Sequence, residues 1–317
     1  MKIGFIGLGN VGGKLAGSLL RNGFDLTVRD LNQEIASPFL DNGAKWGESP
    51  KKIAETVELI ITCLPNPAAS ATVMEADDGV LAGISHGKVW AEMSTTDEEE
   101  VKRLGKMVHE LGGEALDCPV SGGCHRAATG NISIFVGGER SSFEKILPVM
   151  KVLGRRILHT GALGSASVLK VMTNYLATAN LVTLCEALTT AKKAGMDLST
   201  TYEAIRISSG NSFVHETESQ VILNGSRDIN FTMDLVLKDI SLFQAIAERA
   251  GVPLEVSPLL IDIFKDGEER YGSREWSPNI VRRLEDACDT QVVASGFPAE
   301  MVDSEPEVSG EEVVARV

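Results

Sequence analysis

The chain opens on Lys2-Ile3-Gly4-Phe5-Ile6-Gly7-Leu8-Gly9-Asn10-Val11-Gly12, and no other stretch restricts its possible folds as much. An apolar run (Ile3, Phe5, Ile6) enters Gly7-x-Gly9-x-x-Gly12, and a helical pattern (Leu15, Ala16, Leu19, Leu20) leaves it. A buried strand, a tight turn and a helix start follow in the order that a dinucleotide pyrophosphate needs. Gly7 permits the turn, Gly9 lets the backbone approach phosphate with no Cβ in the way, and Gly12 lets helix and strand pack closely. The helix N-terminus, beginning at Asn10 and Val11, then offers unpaired N–H groups to the anion. A second strand, Leu26-Thr27-Val28, ends in Arg29-Asp30. Asp30 lies about 20 residues beyond the glycines, where a ribose-binding acid belongs. These features predict a nicotinamide or flavin nucleotide site.

Strands and helices go on alternating through the first half. Apolar runs at 59–64, 89–93, 114–117 and 132–136 are separated by amphipathic stretches such as Glu98 to Leu111, with Thr95, Thr96 and Asp97 as cap candidates. The alternation predicts an α/β fold, a doubly wound Rossmann sheet over residues 1–160 with right-handed crossovers. From about Gly161 strand-like alternation ceases. Small and apolar residues from Ala166 to Ala194 predict one long interdomain helix, buried on much of its circumference, that founds an all-α domain over 161–290. Further helices are expected near 200–208, 213–223, 234–250, 254–271 and 278–289. Residues 291–317 lose the periodicity and collect six acidic side chains, which reads as a disordered or loosely packed tail.

At 317 residues the chain has room for two cores. Its net charge of −14 argues against nucleic acid as a partner. No apolar run approaches a membrane span, and the opening strand leaves no room for a cleaved leader, so a cytoplasmic protein is expected. The five cysteines form no CxxC pair and the five histidines no HxxxH, so no metal site is expected.

Three segments carry chemistry beyond the nucleotide. Asp117-Cys118-Pro119-Val120-Ser121-Gly122-Gly123 reads as a strand stopping in a serine and two glycines, where free N–H groups beside a hydroxyl suit either a carboxylate or a plain turn. Lys170 and Asn174 are spaced i, i+4 on one face of the long helix. A lone lysine in so apolar a helix ordinarily snorkels outward. A second lysine, Lys238, stands beside Asp239 in the apolar run 235–240.

The glycine turn, the DxPVSGG segment, the helix with its lysine and asparagine, and the late Lys-Asp pair resemble, in order, the motifs of the β-hydroxyacid dehydrogenases. The resemblance covers about residues 1–290. It implies hydride transfer between NAD and the hydroxyl carbon of a small β-hydroxy acid, or reduction of the matching semialdehyde. Lys170 would be the general acid/base, with Asn174 holding substrate. Ser121, Gly122 and Gly123 would anchor the substrate carboxylate. Lys238 would reach substrate and nicotinamide, steadied by Asp239. Thr95 would sit near the nicotinamide, and Leu64 and Pro65 along the adenosine half. Assembly as a homodimer or homotetramer is also implied. A base must be neutral, so desolvation, with Lys238 nearby, is expected to depress the pKa of Lys170.

Several positions depart from the family pattern. Val11 replaces a methionine, Ala166 replaces the third glycine of GxxGxG, and Cys118 is read as a small buried hydrophobe. Cys124-His125-Arg126 follow the double glycine, so His125 and Arg126 are candidates for a distal polar group on the substrate, against a solvated loop. Phe213, His215 and Phe231 are further pocket candidates. Asp30 repels a 2′-phosphate, and Leu31 stands where users of NADP place arginine, so NAD is favoured over NADP. An imine reductase or a non-catalytic scaffold of the same fold is the alternative, against which Lys170 and the acidic tail both speak.

Overall fold

Strand β1 (Lys2–Ile6) is buried from Ile3 onward, and the sheet is wound outward from it in both directions. The computed structural model describes residues 1–316. The chain divides into two compact units: residues 1–170 with the segment from Asp303 onward, and residues 171–302.

In the first unit the further strands are β2 (Asp25–Arg29), β3 (Lys45–Trp46), β4 (Leu59–Thr62), β5 (Val89–Glu92), β6 (Glu114–Asp117), β7 (Val120–Ser121), β8 (Ile132–Gly137), β9 (Gly154–Gly161) and β10 (Glu311–Glu312). Their order is β10-β9-β8-β6-β5-β4-β1-β2-β3, with β7 beside β8. Pairings from β3 through to β6 are parallel, whereas β8 runs antiparallel to β6 and β7. Helices cover both faces of such a sheet, which is why Leu59-Ile60-Ile61-Thr62 is buried at every residue rather than at alternate ones. Strand order reverses between β1 and β4, and the crevice beyond the carboxyl ends of those two strands is where an open α/β sheet takes its ligand.

In the second unit, helices Leu198–Arg206, Phe213–Asn224, Met233–Arg249 and Val256–Tyr271 pack with most of the helix Ser165–Lys193 around Leu181, Leu188, Ile222, Met233, Ile240 and Phe264. Side-chain caps start two of them: Asp197 accepts from Thr200 N, and Ser212 from His215 N. The expected helix over 278–289 is instead a 3₁₀ turn, Ser277–Val281, followed by a short helix, Arg282–Cys288.

The expectation of a loose acidic tail is corrected. Residues 291–302 belong to the helical unit, where Val292 is fully buried and Ala294 N donates to Leu223 O at 2.8 Å. From Asp303 the chain runs along the α/β unit and forms the edge strand β10, parallel to β9. Acidic composition misled because basic partners, Arg21, Arg126, Arg140 and Arg156, await these carboxylates from distant parts of the sequence.

Candidate functional site

The opening glycines take the conformations the motif requires. Gly7 has φ +101°, and a Cβ there would fall 2.2 Å from the carbonyl oxygen of Cys63. A Cβ on Gly12 would fall 2.1 Å from the Gly7 carbonyl oxygen. Gly9 differs, because a Cβ there would meet nothing within 4 Å. Its lack of a side chain serves no internal packing, and it borders open space where the helix Asn10–Arg21 begins without a side-chain cap. Open space beside uncapped N–H groups fits a pyrophosphate. Val11 is half-buried and packs on the core beneath. At the end of β2, Asp30 Oδ2 accepts from Leu8 N at 2.7 Å and Oδ1 from Asn32 N at 3.1 Å. The carboxylate therefore braces the glycine turn and keeps further lone pairs for ribose hydroxyls. Arg29 is engaged elsewhere, donating to the carbonyls of Gly47 and Glu48 with its guanidinium over Trp46. Leu31 is fully exposed.

Leu64 and Thr95 lie just past the ends of the neighbouring strands β4 and β5. A residue not singled out from the sequence ties these ends together. Glu92 is fully buried, its carboxylate accepts from Ser94 N at 2.9 Å and from Ser94 Oγ, and Ser94 Oγ in turn accepts from Leu64 N at 2.7 Å. Burial raises the Glu92 pKa, with the Ser94 bonds opposing. The available signal was an acid inside an otherwise apolar strand.

The strand before the double glycine shows the same economy. Ser121 pairs with Ser133 in β8, and Gly122 and Gly123 follow at φ +128° and +87°, a region that favours glycine. The His125 ring lies against Gly123, where a Cβ would sit 2.9 Å from His125 Cε1. Burial, then the charge of Arg126, lowers the His125 pKa. Cys118 is fully buried and its thiol pKa is pushed up by that burial, which suits a small hydrophobe. Asp117, the first residue of the motif, closes β6. Its carboxylate accepts from Gly164 N at 2.8 Å, Ser167 N at 2.7 Å and Ser167 Oγ at 2.9 Å, capping the helix Ser165–Lys193. Ala166 fills its place in that first turn completely buried. Lys170 follows one turn later at 7% exposure, so it does not snorkel.

In the helical unit, Asp239 is the hub. Buried to 2% exposure, it accepts from Asn174 Nδ2 at 2.5 Å and ion-pairs with Lys238 Nζ at 2.9 Å. Asn174, Lys238 and Asp239 therefore form one cluster drawn from two helices. Two of the pocket candidates are placed otherwise. His215 is core, its Nε2 bonded to the Tyr202 carbonyl at 2.9 Å and its ring against Tyr202, and Phe231 packs on the same core. Phe213 is exposed. Arg126 is not in a solvated loop: it lies in the helix Cys124–Ala128 and pairs with Glu305 at 3.3 Å. Among the described residues no group of three or more His, Cys, Asp or Glu is arranged to hold a metal ion, and no helix is long and apolar enough to cross a membrane.

Comparison with known proteins agrees with this layout. Residues 2–161 match the model of the NAD binding domain of 6-phosphogluconate dehydrogenase, and residues 164–284 that of the NAD-binding region of NADP-dependent 3-hydroxyisobutyrate dehydrogenase. The 2-(hydroxymethyl)glutarate dehydrogenase of Eubacterium barkeri is 33% identical over 293 residues, covering 92% of this chain and 97% of its own. Rat mitochondrial 3-hydroxyisobutyrate dehydrogenase is 29% identical over 270 residues, 83% of this chain and 81% of its own. A crystal structure of 3-hydroxyisobutyrate dehydrogenase from Salmonella typhimurium shares the fold, with a TM-score of 0.82 at 24% identity, over 89% of this chain and 99% of that one. With two matched domains in sequence and a relative aligned nearly end to end, the chain belongs to the β-hydroxyacid dehydrogenase family of NAD-binding oxidoreductases.

Proposed function

We propose that this protein interconverts a small β-hydroxy acid and its semialdehyde with NAD, using Lys170 as general acid/base. The observation that carries the assignment is the Asp117 clamp. One strand end fastens the first turn of the helix bearing Lys170 and, four residues later, delivers Ser121 and the double glycine. The proton-transfer group and the proposed carboxylate anchor thus share one rigid support.

The Ser121 hydroxyl and the N–H groups of Gly122 and Gly123 bind the substrate carboxylate, and Asn174 orients the substrate. Lys170 in its neutral form takes the hydroxyl proton as the carbinol C–H bond breaks. In reduction its ammonium returns that proton to the developing alkoxide, so the same Nζ serves both directions. Bound there, NAD would supply the hydride acceptor that the oxidation requires. Asp239 holds Lys238 and Asn174 in one arrangement. The nucleotide would be held by Gly7, Gly9, Asn10, Val11 and Gly12, by Leu64, Pro65 and Thr95, by Asp30 on the ribose and, as the family resemblance implies, by Lys238. Asp30, an exposed Leu31 and an occupied Arg29 together favour NAD over NADP.

His125, against Gly123, is assigned to the substrate end of the turn. Five cysteines with no disulfide among them support a cytoplasmic, reducing location, and the exposed Met172 and Leu176, one turn apart on the long helix, support a homodimer or homotetramer. The decisive experiment is a panel of β-hydroxy acids, including 3-hydroxyisobutyrate and 2-(hydroxymethyl)glutarate, assayed at alkaline pH with each nucleotide. NADH formation with at least one acid is expected. No turnover across the panel removes the dehydrogenase assignment for this chain, and a strong preference for NADP removes the Asp30 argument.

A further inference from the structure

The segment from Asp303 to Val313 is bonded to the α/β unit along its length, and it lies beyond the matched family models, which end at residue 284. Its first contacts fall beside the double-glycine turn. Asp303 Oδ2 accepts from Thr129 Oγ1 and, at 2.8 Å, from Asn131 Nδ2, while the same amide donates to the Glu305 carbonyl at 3.1 Å. Asn131 is 3% exposed, so its amide depends on these acceptors. Glu305 Oε1 pairs with Arg126 Nη2, and the stem of Arg126 lies against Gly122, whose Cβ would sit 3.4 Å from Arg126 Cδ. Farther along, Glu307 meets Arg21 at 3.2 Å and Asn22 at 3.1 Å, Gly310 N donates to Lys151 O at 2.7 Å, and Val313 N donates to Ile157 O at 2.7 Å. The strap is thus anchored to the sheet independently of the turn it touches.

We propose that Asp303 and Glu305 are positioning residues for the Ser121-Gly122-Gly123 turn. Two successive glycines at positive φ have no side chains to fix their direction, so their flanks must do it. On one side Ser121 is paired in the sheet. On the other stands a helix of only five residues, far too short to persist by itself. Its apolar side is docked through Ala127 on the core. Its polar side and its exit, Arg126, Thr129 and Asn131, meet the strap, and Arg21, which donates to the Ala128 carbonyl at 2.8 Å, is itself paired with Glu307 of the strap. Loss of the strap frees the helix to tilt and takes Gly122 with it through the Arg126 stem. The exposed Glu305–Arg126 pair is individually weak, and the buried Asn131 amide makes Asp303 the stronger of the two positioning residues.

This inference rests on the turn being the substrate anchor, and the test separates the two. In the full-length protein, Asp303→Ala/Glu305→Ala is compared with Asp303→Asn/Glu305→Gln, which keeps acceptor oxygens in place. The alanine pair is expected to raise KM for the hydroxy acid about tenfold, as slight misplacement of a binding group does. Expected alongside are a kcat within about threefold, an unchanged KM for NAD, and faster amide hydrogen exchange at residues 122–126. The amide pair is expected to restore most of the KM. An unchanged acid KM in the alanine pair overturns the proposal, as does a parallel loss of acid affinity, NAD affinity and melting temperature. If the parent protein turns over no hydroxy acid, the anchor assignment fails. The exchange arm then still decides, and unchanged exchange at 122–126 overturns the strap.

Discussion

The two compact units build their parts of the proposed site in opposite ways. In the α/β unit the ligand-facing groups belong chiefly to the backbone: glycines at Gly7, Gly9, Gly12, Gly122 and Gly123, with the half-buried Asp30 carboxylate and the buried Glu92 carboxylate bracing neighbouring loops. In the helical unit the corresponding groups are side chains, and Asp239 accepts from Asn174 and pairs with Lys238. A backbone site is fixed by sterics and fails when atoms are added. A side-chain site is fixed by hydrogen bonds and charge, and fails when atoms are removed.

The largest effect is expected at Lys170, which is buried like a structural residue but assigned to chemistry. Lys170→Ala should lower kcat by roughly 10³-fold or more while NAD binding, measured by fluorescence or calorimetry, stays within about twofold. Near-normal turnover would make Lys170 merely a buried lysine, and the site would have to be sought elsewhere. Next comes the hub of the helical unit. Asp239→Ala leaves a lysine and an amide without their common acceptor, and kcat/KM for the acid should fall on the order of 10²-fold. Asp239→Asn, which keeps one acceptor oxygen but not the charge, should lie between. If the two variants are indistinguishable from each other and from the parent, the side-chain half of the comparison is wrong.

How much of this was legible in the residues follows the same division. The glycine turn, Asp30 and the double glycine are local signals, since a few adjacent residues state the conformation needed. The long helix and its punctuation were equally plain from periodicity. What stayed hidden depends on partners far along the chain. Strand β9, with Arg155, Arg156 and His159 among its eight residues, resembles a connection until β8 and β10 flank it. Asp117 caps a helix about 50 residues away, and Glu92 matters only because Ser94 and Leu64 converge on it. The tail went wrong for the same reason. Composition reports that carboxylates are many, not that arginines stand opposite them.

A smaller test works on the backbone half itself. Gly9→Ala adds a methyl group to open space, so melting temperature should hold, while KM for NAD should rise about tenfold because the phosphate approach is narrowed. Gly12→Ala places the same methyl 2.1 Å from the Gly7 carbonyl oxygen and should cost stability before it costs affinity. Equal losses of stability in the two variants would mean that Gly9 is structural and that the open space beside it is not a ligand's.

The smallest expected effect is a pH dependence in the strap. Burial tends to raise the Asp303 pKa, but the Thr129 hydroxyl and the Asn131 amide outweigh it and hold the carboxyl below the ordinary range. Glu312 is likewise held low by Arg140. A carboxyl depressed in the folded state stabilises that state above its unfolded pKa, about 4, and the contribution is lost as pH falls through the folded value. The strap should therefore be fully engaged at neutral pH and loosen only in acid, below about pH 4. Amide exchange, corrected for its intrinsic pH dependence, should show residues 303–313 opening before the glycine turn at 7–12, where the close packing of Gly7 and Gly12 is steric and adds to the brace from Asp30. Simultaneous opening of both would make the strap part of one cooperative unit with the sheet, and the separation between a charge-held and a sterically held backbone would disappear within the α/β unit.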